Sequence, residues 1–253
     1  MKGYFLTDRG KIRHHNEDSG GVFHNCSQQL MAVVADGMGG HRAGDVASQM
    51  AINLIRDQWE KQPVLKTPED VETWMQETIQ ALNRSIYNEA MKHDAYMGMG
   101  TTLVVAICTQ DFTTVGHIGD SRCYLLNDDG FKQMTEDHSL VNELVRTGQI
   151  TKDEARHHPR KNVVLKALGT EADISADIDT FNWKEGDKLL LCSDGLTDKM
   201  TDPELGEFLR SDQTIEKTAQ NMIDLANERG GEDNISLVII AHDSSREEGE
   251  VSC

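Results

Sequence analysis

The sequence predicts an α+β layered fold built on antiparallel sheets. Three observations carry this reading. Segments with strand character mostly follow one another, and the longer helical segments come in adjacent pairs, whereas alternating βαβ units would interleave the two. Neither a GxGxxG after a strand nor a P-loop is present, so no Rossmann or Walker nucleotide site is indicated. With 253 residues and 28.2 kDa the chain suits one large domain or two small ones, and no internal repeat or linker-like stretch divides it.

Residues 3–7 and 20–24 read as strands joined by the polar segment 8–19. Residues 29–35 form a third strand, more continuously apolar and therefore more central. A helix is predicted over 45–61, where Ala47, Ala51, Ile55 and Trp59 recur every four residues, with Met50 and Leu54 alongside. Pro63 and Pro68 mark the loop that follows. Thr67 caps a second helix, with Pro68 in its first turn and Asp70 three residues on. That helix runs to about Lys92 and carries Val71, Met75, Ile79, Leu82 and Ile86 on one core-facing stripe. Strands resume at 101–108, 113–118, 123–127 and 131–135, with a turn at Asn127-Asp128-Asp129-Gly130. A short helix over 139–147 and a second from Lys152 come next. A strand pair, 174–181 and 187–192, precedes helices at about 203–209 and 214–227. Residues 235–241 are a last, very apolar strand, and 243–253 is expected to be an acidic, disordered tail.

Composition excludes some partners. The net charge is −18, with 43 acidic against 25 basic residues. Nucleic acid and anionic membranes are bound through clustered Lys and Arg, so neither is expected as a partner. The same balance is wrong for a phosphate ester unless metal ions reverse the local sign. The five cysteines, an odd number, include no CxxC pair, and Cys108 and Cys192 sit in apolar runs as core thiols. No signal peptide precedes the first strand and no apolar run approaches the ~20 residues that span a bilayer, so a reducing, cytoplasmic setting without membrane insertion is expected.

Two acidic clusters each follow an apolar run: Asp36-Gly37-Met38-Gly39-Gly40-His41 after Leu30 to Ala35, and Ser193-Asp194-Gly195 after Lys188 to Cys192. Asp-Gly is a favoured hairpin pair, and each cluster alone reads most simply as a turn. Their company changes this, because Gly119-Asp120-Ser121-Arg122 and Gly231-Glu232-Asp233-Asn234 also adjoin apolar strands. Carboxylates gathered from several strand ends make an oxygen-rich site for hard divalent cations. Glu17, Asp18, Asp36, Asp120, Asp194 and Asp233 carry six negative charges when all are ionised. Two divalent ions leave two of these and three leave none, after which a cationic side chain such as Arg13 tips the site towards a phosphate dianion.

In order along the chain stand Gly10-Lys11-Ile12-Arg13, Asn16-Glu17-Asp18, the Asp36 and Gly98-Met99-Gly100-Thr101-Thr102 clusters, Gly119-Asp120-Ser121-Arg122, Thr135-Glu136-Asp137-His138-Ser139, Ser193-Asp194-Gly195-Leu196 and Gly231-Glu232-Asp233-Asn234. This ordered set, from about 7 to 241, closely resembles the bacterial form of the metal-dependent protein serine/threonine phosphatase family, PPM. The resemblance implies an α-β-β-α sandwich of two antiparallel sheets flanked by helix pairs, with metals in a cleft at one end. It implies a single phosphatase domain over 1–242 with a flap at about 139–166 that bears on substrate choice. Mn²⁺ or Mg²⁺ is the implied cofactor, two core ions with a weaker third.

Residue by residue, Asp36 matches the ligand bridging both core ions and Gly37 the carbonyl ligand. Asp194 and Asp233 match the remaining carboxylates of the second ion; Asp36, Asp194 and Asp233 are the catalytic set. Asp18 matches a residue holding metal-bound water, with Glu17 beside it. Asp120 with Asp194 matches the third-ion site, and Arg13 the phosphate-binding arginine. Eukaryotic members carry a histidine proposed as general acid where this chain has Met38; His41 is offset, and a water on the third ion is an alternative donor. The implied reaction is direct hydrolysis of phosphoserine and phosphothreonine on proteins by a metal-bridging hydroxide. The implied partners are phosphorylated proteins and a bacterial transmembrane Ser/Thr kinase whose signalling the enzyme reverses, acting as a monomer.

Other readings carry less. Cys192 lacks the Cys-x5-Arg loop of cysteine phosphatases and has an acidic neighbour, Asp194. His157, His158 and Arg160 read as a solvated flap rather than a zinc site, His117 as a core or sheet-face histidine, and Asp137 and His138 as an anchor of the strand-to-flap corner. The Gly98 to Thr102 run is a turn opening a strand. A pseudophosphatase that only docks partners is disfavoured by the intact ligand set. A calcium-stabilised scaffold is disfavoured by the missing D-x-[DN]-x-[DN]-G loop.

Overall fold

The computed structural model describes residues 1–39 and 43–243. His41 and the tail beyond 243 lie outside the described residues. Eleven strands are present among those described: β1 (Lys2–Asp8), β2 (Asp18–His24), β3 (Leu30–Met38), β4 (Gly100–Thr101), β5 (Leu103–Cys108), β6 (Phe112–Ile118), β7 (Arg122–Asn127), β8 (Gly130–Gln133), β9 (Asp177–Asn182), β10 (Lys188–Cys192) and β11 (Ile235–Ala241). One sheet has the order β1-β11-β10-β7-β8 and the other β2-β3-β5-β6-β9, with β4 on β3; every pairing is antiparallel. Helices α1 (Ala43–Trp59) and α2 (Pro68–Lys92) cover the second sheet. Helices α6 (Asp202–Arg210) and α7 (Ile215–Glu228) cover the first. The architecture is the anticipated α-β-β-α sandwich. No helix among the described residues is long and apolar enough to cross a membrane.

Strand alternation explains why the central strands are apolar throughout. Successive side chains point to opposite faces. On β3 and β5, Leu30, Ala32, Val34, Val104 and Ala106 enter the space between the sheets, against Leu189, Leu191, Val238 and Ile240 from β10 and β11. The intervening Met31, Val33, Leu103, Val105 and Ile107 pack on Ile55, Trp59, Met75 and Ile79 of α1 and α2. Leu190, Leu237 and Ile239 likewise meet Leu205, Met222 and Ile223 of α6 and α7. Both faces of these central strands are thus apolar where the layers meet.

The helix caps follow the sequence. Thr67 and Asp70 form a reciprocal capping box at the start of α2. α1 begins at Ala43 and ends at Trp59, within two residues of the expected bounds. Asn127 to Gly130 is the hairpin between β7 and β8, where Asn127 Oδ1 accepts the Asp129 N–H at 3.0 Å. Segments 174–181 and 187–192 are corrected: β9 pairs with β6 and β10 with β7 and β11, so they belong to different sheets. Their closeness in sequence reflects a crossing between layers, not a hairpin.

Residues 139–166 run from beyond β8 of the first sheet to Leu168, which pairs with Thr101 of β4 on the second. They carry α3 (Leu140–Arg146), capped by Ser139, and α4 (Lys152–Arg156), capped by Thr151 and Glu154. Leu140 N–H donates to Val163 O at 2.9 Å, and Leu165 N–H to His138 O at 2.7 Å, so the two ends are stitched together.

Gly37 has a packing role beyond any turn. A Cβ there would lie 2.1 Å from the Gly44 carbonyl oxygen and 2.6 Å from that of Glu17. Gly37→Ala is expected to lower unfolding stability by about 1–3 kcal/mol through forced backbone shifts. Urea denaturation read by far-UV circular dichroism checks this; unchanged stability would show that the α1 start yields without cost.

Candidate active site

Both sheets deliver carboxylates to the same end of the sandwich. In the second sheet Asp18 lies directly opposite Asp36 in the β2–β3 register. The Asp36 N–H donates to Thr102 Oγ1 at 3.0 Å, and the Thr102 N–H donates to Asp36 O at 2.8 Å. A threonine hydroxyl therefore replaces a ladder carbonyl where β3 reaches the cleft. In the first sheet β10 ends at Ser193, which opens the short helix α5 (Asp194–Thr197) with Asp194 as its first residue. Asp233 and Asn234 lead into β11. Asp120 stands in the loop from β6 to β7.

Two neutral side chains sew these pieces together. Ser193 Oγ donates to Asp18 Oδ2 at 2.8 Å and accepts the Ser236 N–H at 3.0 Å, so it joins the two sheets. Asn234 Oδ1 accepts the Glu17 N–H at 2.8 Å, while its amide donates to Arg9 O at 2.8 Å and His15 O at 3.0 Å. That residue fixes the loop bearing Arg13 and Glu17. A Cβ on Gly195 would come 1.9 Å from Asn234 O, so glycine lets α5 approach β11.

The resulting cavity of about 210 Å³ is lined by Arg13, Glu17, Asp36, Gly37, Asp194 and Asp233, with Asp120 at its border. Burial pushes the Asp36 carboxyl far above the ordinary range, and Asp18, Asp194, Asp120 and Asp233 push further. Asp194 is raised in the same way by burial, then by Asp120 and Asp233. Burial lifts Asp18 to about 6, partly offset by hydrogen bonds from serines. Asp120 also rises to about 6, through burial and then Asp137. Arg13 Nη2 donates to Asp233 Oδ2 at 2.6 Å on the cavity edge. Burial works against its charge, yet Asp233, Glu17 and Asp36 hold the guanidinium above its usual value.

Such mutual repulsion asks for cations. Asp18 Oδ1 and Asp194 Oδ1 are buried with no hydrogen-bond partner among the described residues. The donors are carboxylate and carbonyl oxygens, which suit hard divalent ions such as Mg²⁺ or Mn²⁺. The residues present therefore fit the expected ions.

A sequence model described as protein phosphatase 2C matches residues 11–235. The chain belongs to the protein phosphatase 2C family. It is 51 % identical to the serine/threonine phosphatase stp of Listeria innocua over 240 residues, 95 % of each chain. The serine/threonine phosphatase Stp1 of Staphylococcus aureus superposes with a TM-score of 0.91 at 37 % identity, covering 95 % of this chain and 94 % of that one. The catalytic domain of the serine/threonine protein phosphatase PstP, solved in complex with two manganese ions, superposes with a TM-score of 0.82 at 33 % identity, covering 94 % of this chain and 96 % of that one. The family is the one that the ordered motifs suggested.

The structure brings Arg13, Glu17, Asp18, Asp36, Gly37, Asp120, Asp194 and Asp233 to one end of the sandwich. Ser193, Thr102 and Asn234 were not read as site-builders from the sequence. Asn234 closes a recognised motif, but its partners Arg9, His15 and Glu17 lie more than 200 residues away.

His138 sits at the flap corner as expected. Gly119 N–H donates to its Nδ1 at 3.1 Å, and its own N–H donates to Gly119 O at 2.9 Å. His117, His138 and Asp177 place possible ligand atoms within 4.8 Å of one another. Yet the Gly119 bond leaves the His138 proton on Nε2, which faces Asp177 Oδ2 at 3.3 Å, and His117 Nε2 donates to Glu136 O at 2.8 Å. A metal there would have to displace that proton, so the group is a hydrogen-bonded corner. His158 Nδ1 accepts the Arg160 N–H at 3.1 Å within the flap itself.

Raised carboxylates give the metal-free protein a defined pH response. The folded state holds protons on Asp18 and Asp120 up to about pH 6, above the ordinary value of 3.8. Their stabilising contribution is thus full below about pH 4 and is lost as pH rises through about 6. Divalent cations relieve the repulsion that then appears. Mn²⁺ at ~100 times its dissociation constant supplies about 2.7 kcal/mol, a rise of roughly 5–10 °C in melting temperature. Calorimetry of EDTA-treated protein should show a larger rise at pH 7.5 than at pH 5. A rise independent of pH would contradict this electrostatic account.

Proposed function

We propose that the acidic cleft is the catalytic centre of a metal-dependent hydrolase acting on phosphoserine and phosphothreonine. The chain is a protein serine/threonine phosphatase of the 2C type. Its mechanism is inferred from the cleft. The observation that carries the reading is the convergence of Asp36, Asp194 and Asp233 from two sheets around one cavity, with Asp18 buried beside Asp36 and Arg13 on the cavity's edge.

Asp36, the Gly37 carbonyl, Asp194 and Asp233 would hold two core ions, Mn²⁺ or Mg²⁺. Asp120 with Asp194 would hold a weaker third, and Asp18, supported by Glu17, would orient water. When bound, such ions acidify a water into a nucleophile at neutral pH and offset the charge of the phosphoryl oxygens. Arg13 brings a planar fork of N–H donors suited to those oxygens, of which one nitrogen is engaged by Asp233. Protein nucleophiles are unsuited to the task. The Cys192 thiol is fully buried and pushed up to about 12 by burial. The Ser193 hydroxyl is buried and committed to Asp18 and Ser236. The unsuitability of these two groups supports direct hydrolysis without a phosphoenzyme.

The catalytic unit is taken as a single domain over 1–242 with a flap at about 139–166. A cytoplasmic monomer that reverses a bacterial transmembrane Ser/Thr kinase in signalling fits the soluble-type surface charge and the family. Phosphothreonine-peptide hydrolysis tests the reading: activity should require Mn²⁺, vanish with excess EDTA and return on adding the ion back. Metal bound without turnover would turn the reading to a pseudophosphatase that docks partners.

Variants refine it. Asp36→Asn, Asp194→Ala and Asp233→Ala should each lower kcat by at least about a hundredfold, in line with loss of a group acting on the reacting atoms. Near-normal turnover in metal-replete buffer would remove that residue from the centre. Asp120→Ala should lower turnover with less loss of the two core ions, measured by metal titration. Arg13→Ala should chiefly raise KM if its contact is equal in ground and transition states. A lower kcat at unchanged KM would instead assign it to the transition state.

A further inference from the structure

A second cavity, of about 510 Å³, adjoins the acidic cleft: Asp120, Asn162 and Asp194 line both. Its volume falls in the range of ligand sites. Its two walls differ in charge. The core side presents Asp120, Glu136, Asp137, Asp194, Asp198 and Asp202 with one cation, Arg122, while every charged side chain offered by the flap is basic: Arg146, Lys152, Arg156 and Lys161. This is a local inversion in a chain of net charge −18.

Internal pairing accounts for part of both walls. Arg122 grips Asp137 through a forked pair, with Nε at 2.8 Å from Oδ1 and Nη2 at 2.7 Å from Oδ2. Lys161 pairs with Asp198, and Arg146 with Glu143 at 2.7 Å. Asp202 accepts the Tyr124 hydroxyl at 3.2 Å, and Glu136 accepts the Asn142 amide at 3.3 Å. Lys152 and Arg156 have no ion pair among the described residues. Both are exposed and stand one turn apart on the same face of α4.

We propose that this cavity is a subsite for an anionic side chain of the substrate polypeptide, close to the phosphorylated residue and held by Lys152 and Arg156. The inference rests on the phosphatase reading of the cleft next to it. A substrate whose phosphoryl group lies against Arg13 has its flanking residues within reach of the adjoining cavity, because Asp120 and Asp194 border both spaces. A carboxylate or a second phosphate meets the same chemistry. The selection is for acidic neighbours of the scissile group, which a general phosphate monoester would not reveal.

Three phosphothreonine peptides of equal length test this: one flanked by Glu, one by the isosteric Gln, and one (the phosphoserine peptide) by a non-hydrolysable phosphonate analogue of phosphoserine with Gln elsewhere. The kcat/KM of the Glu peptide should exceed that of the Gln peptide by roughly three- to tenfold at low salt, the scale of two partly exposed ion pairs. The preference should shrink in 0.5 M salt, where exposed charges are screened within ~4 Å. It should fall to about one in Lys152→Ala/Arg156→Ala, whose fold is checked by circular dichroism. A preference shared by the Glu and phosphoserine peptides makes carboxylate sufficient; one confined to the phosphoserine peptide makes a second phosphate the ligand. Equal rates for all three peptides, or a preference retained by the double variant, would overturn the subsite while leaving the phosphatase standing. Hydrolysis of none of them would remove the phosphatase reading and the subsite together.

Discussion

The constraint on which this molecule depends is the confinement of several carboxylates in one buried cleft. Each ionised carboxylate taken from water costs several kcal/mol, and neighbours of like charge add to it. Arg13 does not relieve this in the interior, because it meets Asp233 at the edge rather than Asp36 or Asp194. The repulsion is therefore opposed by rigid elements. Asp18 and Asp36 are locked by strand register, Asp194 by the start of α5, and the sheets by Ser193. Three apolar layers behind them supply the cohesion that permits it.

The same constraint explains the glycines that follow the acids. Three Asp-Gly pairs looked alike in the sequence, yet they serve different ends. Asp129-Gly130 is a hairpin turn, with Gly130 at φ +126° and open space where a Cβ would stand. Gly37 and Gly195 lie in no hairpin; each removes a Cβ that would strike a carbonyl oxygen of another segment. Close backbone approach at these two positions is what brings the carboxylate before each of them to the cleft.

Much of this was legible beforehand, for physical reasons. Period-2 and period-3.6 patterns marked nearly every long element because burial imposes them locally. The acidic motifs were visible because each ligand type sits at a strand end, next to a recognisable apolar run. What escaped was whatever depends on pairing. That Asp18 faces Asp36 is a matter of register between β2 and β3, and that β9 and β10 part company is a matter of sheet membership. Helix α5 has four residues, too few to show a helical period. Ser193 and Asn234 are short polar residues of the kind found in any loop, and their roles come from partners about 175 and more than 200 residues distant.

Charge distribution ties these levels together. An acidic exterior keeps polyanions away by default, so recognition of a phosphoryl group has to be built where the sign is locally reversed. The sign is locally reversed at two places that the acidic clusters alone do not reveal. One is the loop carrying Arg13, fixed by Asn234, the residue that follows Asp233 just ahead of β11. The other is the flap, whose corner is pinned by His138 to Gly119, one residue before Asp120. A shift of that corner would disturb both the loop that bears Asp120 and the start of the flap, because the His138–Gly119 hydrogen bonds join the two segments there. The geometry of the acidic site and the sign of its surroundings are therefore set by the same few hydrogen bonds, not by separate parts of the chain.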